Sequence, residues 1–479
     1  MTLKKQTFLG TFWVFVETFF LRGVTFVASI YLARLLGPKE YGLVGMVAVF
    51  IAIGTTLVDS GLSSSLIRTK NPNDEDFSTV FYLNLGISIA IYAIMYLIAP
   101  LIASFYNQDI LVDILRVYCL SFIFSAFSTI QLAKLDAEMN FRRSTLLGLP
   151  GAIIGVIIGC VMGNYGYGVW SIVYMFLVTQ VVKSLCLWLF SSWKPKLIFS
   201  KSRAKYHYNF GYKLLLSGLL NTGFTYIYNI LIGRFYPVQT LGYYERARYF
   251  NEYPSTLLTG IVTRVTYPLL SKIQDDKERL LEIYRRLNTL LFFCIAPCMM
   301  GIAAIAKPLF LLVLGEEWLA AVPIFQVLAL GYMLFPIHIL NLNIIKVLGR
   351  SDLFLSLEII KKIVVVVSIA LLFKFGIMGL MWSSVVSSVL AFFINSHFSG
   401  GLINYKTKRQ VLDIIPTLVL SCVMFLVVME ALKLAGQFGL MIQIFIGSIS
   451  GIVFYIGTSY ILKISPFLYF IQIVKKRKI

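Results

Sequence analysis

The residues of this chain that can do chemistry are charged side chains set within long apolar runs. Glu245, Arg248 and Glu252 follow one another at spacings of three and four residues, so on a helix they share one face and can pair. Arg246 lies off that face, and Arg264, about five turns later, returns to the Arg246 side. Because a planar guanidinium donates two parallel hydrogen bonds to a phosphate, these cations predict a site for an anionic group.

Three further cations interrupt apolar runs elsewhere. Arg22, Arg116 and Lys213, together with Arg246 and Arg264, make up the predicted cationic substrate site. A charge at the centre of a bilayer costs about 2.5–3.5 kcal/mol, so such residues usually face a water-filled interior or a partner. A structural role stays open, because these side chains can also reach lipid phosphates or pair with acids on other spans.

Two carboxylates suggest ion coupling. Glu17 and Asp59 lie within or at the end of apolar runs, and intramembrane carboxylates can carry a H⁺ or Na⁺ cycle. Asp59, beside Ser60 and Gly61, fits a structural capping role as well. The six cysteines all fall in apolar runs and the three histidines are scattered. We therefore expect no metal site, no catalytic residue and no cofactor beyond a coupling ion.

The elements that position these residues are membrane-spanning helices. The chain has 479 residues, of which 58% are hydrophobic and 13% charged, with a mean hydropathy of +0.83. Soluble domains carry about a quarter charged residues, so the sequence predicts an all-α integral membrane protein. The net charge of +20 is explained by the basic residues that set the membrane topology, and no nucleic-acid partner is expected.

Polar breaks divide the chain into about fourteen apolar runs, each long enough to cross a bilayer. Most of the 42 Lys and Arg residues lie in alternate loops on the side of the N-terminus. The opposite side holds only Arg34, Lys39, Arg234, Lys307, Lys374 and Lys433. The positive-inside rule then places both termini of this multi-pass protein in the cytoplasm.

One segment recurs 200 positions later. Residues 21–43 and 221–243 align without a gap, and each turns through a proline before a shared glycine. The identical pairs are Gly23/Gly223, Thr25/Thr225, Ile30/Ile230, Arg34/Arg234 and Gly42/Gly242. With six spans in each copy, the repeat is parallel.

The repeat predicts a division of the chain into two lobes and two further segments. The N-terminal six-helix lobe covers 1–190, a basic cytoplasmic linker covers 191–209, and the second six-helix lobe covers 210–400. Residues 401–479 are expected to form an additional two-helix hairpin with a basic cytoplasmic tail. The tail either rests on anionic lipid or serves only as a topology signal.

Several short motifs in the same order resemble one family. They are residues 34–42, 59–62, 241–247, 267–271, 314–318 and 348–352. From about residue 8 to at least residue 400, the chain resembles bacterial polysaccharide flippases of the O-antigen, colanic-acid and teichuronic-acid type. These belong to the multidrug, oligosaccharidyl-lipid and polysaccharide exporter superfamily.

The resemblance implies a fold and a function. The fold is two six-helix lobes around a central cavity, with an extra helix pair at the C-terminus. The function is alternating-access transfer of an oligosaccharide repeat unit on undecaprenyl pyrophosphate to the outer leaflet, with membrane lipids and other polysaccharide assembly proteins as partners. The chain is then not an enzyme.

Two other functions stay open from the residues. A drug or organic-cation antiporter of the same superfamily would favour an acidic cavity, whereas the second half of this chain is rich in intramembrane Arg and Lys. A membrane-embedded polysaccharide polymerase or ligase normally needs a substantial outer loop. The outer loops predicted here are short.

Overall fold

A computed structural model describes the backbone of residues 3–69, 72–191 and 193–469, and the side chains of these residues except 3–22, 213, 258, 261–265 and 351. Within these ranges the chain is helical and contains no strand. The helices are α1 (Leu3–Asp59), α2 (Leu62–Arg68), α3 (Asp74–Tyr106), α4 (Leu111–Tyr118), α5 (Leu120–Ala137), α6 (Phe141–Asn164), α7 (Trp170–Phe190), α8 (Lys201–Thr225), α9 (Ile227–Phe235), α10 (Val238–Lys272), α11 (Lys277–Ala304), α12 (Ala306–Val313), α13 (Ala321–Tyr332), α14 (Phe335–Val347), α15 (Ser351–Leu372), α16 (Gly376–Leu402), α17 (Thr407–Leu434) and α18 (Leu440–Ile461). Two 3₁₀ turns, Glu316–Trp318 and Phe373–Phe375, join neighbouring helices.

Ten segments of the described chain are long and apolar enough to cross a membrane, or eleven if the bent pair α8–α9 is one span. The expected number of fourteen is not confirmed. Two of the ten, 23–68 and 352–402, are 46 and 51 residues long, although about 20 residues are enough for one crossing. Gly37 in the first and Gly376 in the second have φ values of 75° and 72°, which interrupt the helix.

The outward faces of these helices are apolar. Leu97 and Leu189 are each 74% exposed, and Phe445 is 65% exposed. Soluble monomers rarely expose apolar surface on this scale, and on helices this long it marks contact with lipid. The chain is a multi-pass membrane protein.

Contact density divides the chain into two compact units, Met1–Gly242 and Tyr243–Ile479. Of the predicted linker, residues 193–200 lie outside helices and 201–209 form the start of α8. The lobe boundaries expected from the sequence stay predictions.

In unit 1, α6 and α7 pack closely through glycines. A Cβ at Gly155 would lie 2.1 Å from the Thr179 hydroxyl, and one at Gly159 would lie 2.8 Å from the Met175 Cβ. Such small residues let helices approach each other in lipid. The α6–α7 pair is therefore closely packed.

The two copies of the repeated segment also touch within unit 1. A Cβ at Gly42 would lie 2.0 Å from the Val238 carbonyl oxygen, and a Cβ at Gly242 would lie 1.9 Å from the Pro38 carbonyl oxygen. Pro38 and Val238 are themselves 200 positions apart. Equivalent residues thus meet reciprocally, backbone against backbone, and only glycine fits at both positions.

Unit 2 has an apolar core between α10, α11, α14 and the segment 403–405 that precedes α17. Tyr284 and Leu340 are fully buried in it. Arg285 on α11 donates two hydrogen bonds to Asp413 on α17, at 2.5 and 2.6 Å, and Tyr405 donates a third at 2.5 Å. Burial raises the pKa of the Tyr405 phenol, which keeps it a donor. These contacts fix α17, the first helix of the C-terminal hairpin, to α11.

Candidate functional site

Arg246 is held on α10 in a buried position. It is 8% exposed, and its guanidinium lies 5.2 Å from the centre of the Tyr249 ring, a cation–π distance. On the neighbouring face, Arg248 pairs with Glu245 at 3.4 Å, which confirms the pairing expected from their spacing. Glu252, the third predicted member of that face, is exposed.

Two polar residues that the sequence reasoning missed fix this part of α10 to α13. The Asn251 amide donates to the Phe325 carbonyl oxygen at 3.0 Å, and the Ser255 hydroxyl donates to the Tyr332 carbonyl oxygen at 3.1 Å. Both residues are fully buried. Asn251 and Ser255 are four residues apart and therefore lie on one face of the helix, and this spacing was the sequence signal that they act together. They set the orientation of the helix that carries Arg246.

Of the cations predicted for the site, Arg116 on α4 is the one in unit 1 whose side chain the structure describes. Its guanidinium carbon lies 4.2 Å from the centre of the Tyr96 ring on α3, and Tyr92 is one turn away, with the two tyrosine rings 6.1 Å apart. The Arg116 Nε is buried and has no hydrogen-bond partner among the described residues. A cation with donor capacity beside two phenols is suited to bind an anionic or sugar oxygen.

The other predicted site residues are placed only in part. The side chains of Glu17, Arg22, Lys213 and Arg264 lie outside those the structure describes. Asp59 is exposed at the end of α1, just before Ser60 and Gly61. Arg116 belongs to unit 1 and Arg246 to unit 2, and their sharing of one cavity stays a prediction.

A polar cluster in unit 1 was not predicted, because His207 had no evident partner in the sequence. His207, Asp76 and Ser65 are each at most 3% exposed. The His207 Nε2 lies 3.2 Å from the Asp76 Oδ1, and its Nδ1 lies 2.8 Å from the Ser65 Oγ. An imidazole that donates to the carboxylate from Nε2 accepts the Ser65 hydroxyl at Nδ1.

This cluster joins three helices. Asp76 is on α3, where it also completes a capping box. Its Oδ2 accepts a hydrogen bond from the backbone N–H of Asn73 at 3.1 Å. Ser65 is on α2 and His207 on α8. Arg203, one turn before His207, places its Nε 3.5 Å from the same carboxylate. We call Ser65, Asp76, Arg203 and His207 the polar cluster below.

A groove of about 1120 Å³ opens in unit 2 between α11, α17, α18 and residues 463–469. Arg286 and Lys463 line one part and Val419, Val423 and Phe454 line another. The Arg286 guanidinium also lies 5.0 Å from the centre of the Tyr469 ring. The groove therefore combines basic and apolar walls. Among the described residues, no three His, Cys, Asp or Glu side chains come together to hold a metal ion.

Comparison with known proteins decides the family. A family profile described as polysaccharide biosynthesis protein matches residues 31–323. The chain belongs to the polysaccharide biosynthesis protein family. The resemblance inferred from the motifs is thereby confirmed.

Relatives of this polysaccharide biosynthesis protein cover most of its length. It is 23% identical over 401 residues to the lipopolysaccharide biosynthesis protein WzxC of Escherichia coli K12, covering 82% of each chain. It is 24% identical over 363 residues to the teichuronic acid biosynthesis protein TuaB of Bacillus subtilis 168, covering 74% of this chain and 73% of TuaB.

Among solved structures, the fold is similar to that of the lipid II flippase MurJ in an inward closed conformation. The TM-score is 0.73 with 17% sequence identity, over 93% of this chain and 98% of MurJ. At this identity the likeness shows the fold alone.

Proposed function

We propose that this protein is a flippase that moves undecaprenyl-pyrophosphate-linked oligosaccharide repeat units from the cytoplasmic to the outer leaflet, for surface polysaccharide biosynthesis. The observation that carries the proposal is the family match over residues 31–323 in a chain with the fold of a lipid II flippase. A lipid-linked sugar has a charged pyrophosphate head that cannot cross the hydrocarbon core unaided.

Buried cations offset that cost. Arg246 on α10, 8% exposed beside Tyr249, and Arg116 in the span 111–137, whose Nε is buried over Tyr96, are the described guanidinium groups of the proposed site. Phosphate oxygens are their natural ligands. Arg22, Lys213 and Arg264 complete the proposed cationic site, and Glu17 and Asp59 are the proposed residues for H⁺ or Na⁺ coupling.

The proposed topology has fourteen spans, both termini in the cytoplasm and the protein in the bacterial inner membrane. The helix breaks at Gly37 and Gly376 support it, because each divides a segment long enough for two crossings. The reciprocal contact of Gly42 and Gly242 supports a parallel pseudo-repeat. Alternating access between the lobes 1–190 and 210–400 is the proposed mechanism, and other polysaccharide assembly proteins are proposed partners.

Deletion in the native host tests the function. We expect repeat units on undecaprenyl pyrophosphate to accumulate on the inner leaflet, where externally added reagents cannot reach them, and surface polysaccharide to fall. Complementation with the wild-type gene should reverse both effects. Unchanged lipid-linked sugars combined with increased sensitivity to cationic dyes would instead identify an exporter of organic cations.

A charge-reversal variant tests whether Arg246 belongs to the substrate site or serves only the fold. Arg246→Glu should abolish export, because a carboxylate at a buried position repels the pyrophosphate. Lys433→Glu, at a residue 68% exposed beside Glu430, is the matched control and should leave export near the wild-type level. Full export by a normally expressed Arg246→Glu protein would remove Arg246 from the site.

A further inference from the structure

Helix α8 of unit 1 lies between two points at which the backbone changes direction. It begins after Ser200, whose backbone is extended (φ −112°, ψ 116°), and ends at Tyr226, where α8 and α9 are bent by 42°. The stretch before it is fixed to α3. The Lys196 amide donates to the Ser78 hydroxyl at 3.0 Å, and the Ser200 amide donates to the Thr79 hydroxyl at 3.1 Å. Ser200 is therefore the junction between the fixed stretch and α8, and we call it the joint.

The face that α8 presents to α1 is lined by small residues. A Cβ at Gly211 would lie 2.4 Å from the Ser60 carbonyl oxygen, and one at Gly218 would lie 3.0 Å from the Thr56 Cγ2. Further along, the Thr56 and Thr222 hydroxyls are 3.1 Å apart. The α1–α8 seam is closely fitted at these positions, and the small side chains there bury little apolar area.

The polar cluster holds α8 at the Ser200 end of the seam. His207 and Arg203 reach from α8 to Asp76 on α3, and His207 reaches to Ser65 on α2. Networks of buried hydrogen bonds and charge give little net stability compared with apolar packing, but they favour one arrangement when complete. A complete cluster therefore favours the arrangement in which α8 lies against α1.

We propose that the α1–α8 seam opens during transport and that the polar cluster is the latch that keeps it closed. This inference rests on the proposed function, because alternating access requires helices to separate. Thr222 is about 33 Å along α8 from Ser200, so a turn of about 10° at the joint moves it by about 6 Å. That is enough to break the contact between Thr222 and Thr56.

A cysteine in the seam reports its opening. The Thr56→Cys protein, with the six native cysteines replaced, is treated in native membranes with a maleimide. Removing a charged partner from a buried hydrogen bond shifts such an equilibrium by about tenfold or more. We expect Asp76→Asn and His207→Ala to speed labelling by about that factor. His338→Ala is the matched control, since His338 also bonds a serine, Ser388, at 3.1 Å, but lies in unit 2.

A reversible cross-link keeps the test independent of folding. Cysteines at Thr56 and Gly218 have the short separation that a disulfide needs. Oxidation should stop export and reduction should restore it. The control pair Met424→Cys and Gly451→Cys joins α17 to α18, where a Cβ at Gly451 would lie 3.9 Å from the Met424 Cγ, and should leave export unchanged.

The possible results test the proposed latch and the proposed substrate separately. Wild-type labelling rates in both Asp76→Asn and His207→Ala, or full export by the cross-linked Thr56–Gly218 protein, would overturn the latch. Faster labelling in the two variants, together with normal lipid-linked sugars in a deletion strain, would keep the latch and reject the proposed substrate. Labelling needs no substrate, so it reports the seam alone.

Discussion

The two ends of unit 1 hold their helices together by opposite means. At one end, Gly42 and Gly242 bring backbone against backbone, with no charged group in the contact. At the other, the polar cluster joins α2, α3 and α8 through side chains that are almost completely buried, apart from Arg203. In the proposed topology the glycine end faces outward and the cluster end faces the cytoplasm.

The difference teaches how each contact can change. A backbone contact between glycines depends on shape and tolerates no added atom, but carries no charge that another group can replace. The polar cluster is held by directional bonds that can be lost one at a time. We infer that the glycine end behaves as a fixed contact and that the side-chain bonds of the polar cluster are the ones that are released.

The largest effect is expected at the glycine end. Gly242→Ala places a methyl group 1.9 Å from the Pro38 carbonyl oxygen, and Gly42→Ala places one 2.0 Å from the Val238 carbonyl oxygen. Backbone must move, so each change should lower the free energy of unfolding by about 3 kcal/mol. The measurement is thermal unfolding in detergent together with export.

Two other glycines of the same repeat provide the control. Nothing lies within 4 Å of a Cβ at Gly23 or Gly223, and alanine favours a helix by about 1 kcal/mol over glycine. Gly23→Ala and Gly223→Ala should leave unfolding unchanged or shift it upward. Equal destabilisation at all four positions would mean that the reciprocal contact has no special role.

The sequence predicts the scaffold better than the cluster. Apolar periodicity and the helix-breaking Gly37 and Pro38 are local signals, and so is the spacing of Glu245 and Arg248, which the structure confirms as an ion pair. Asp76 and His207 are 131 positions apart. Asp76 alone reads as the capping partner of Asn73, so no local pattern shows that it also binds a histidine.

An intermediate effect is expected from coupling within the polar cluster. Asp76→Ala and His207→Ala should each destabilise unit 1, and the double variant should be less destabilised than their sum by about 1.5–3 kcal/mol. A double-mutant cycle on thermal unfolding measures this coupling energy. Additive effects would show that the 3.2 Å contact between the two side chains contributes nothing.

The smallest effects are expected where the cluster reaches solvent. The Arg203 side chain is 41% exposed, and the nearby Lys196–Asp74 pair is 60% and 45% exposed. Exposed ion pairs contribute about 0–1 kcal/mol. Arg203→Ala and Lys196→Ala should change unfolding by less than about 1 kcal/mol, and high salt should remove the difference. A larger loss for Lys196→Ala would place the latch at Asp74 instead of Asp76.

The most direct measurement follows lipid-linked repeat units across the bilayer of proteoliposomes that contain the Thr56→Cys/Gly218→Cys protein. The leaflet of the sugar is read from its accessibility to a reagent that cannot cross the membrane. Under reducing conditions the sugar should equilibrate between leaflets, and after oxidation it should not. Absence of protein-dependent transfer under reducing conditions, with the wild-type protein equally inactive, would contradict the proposed flippase.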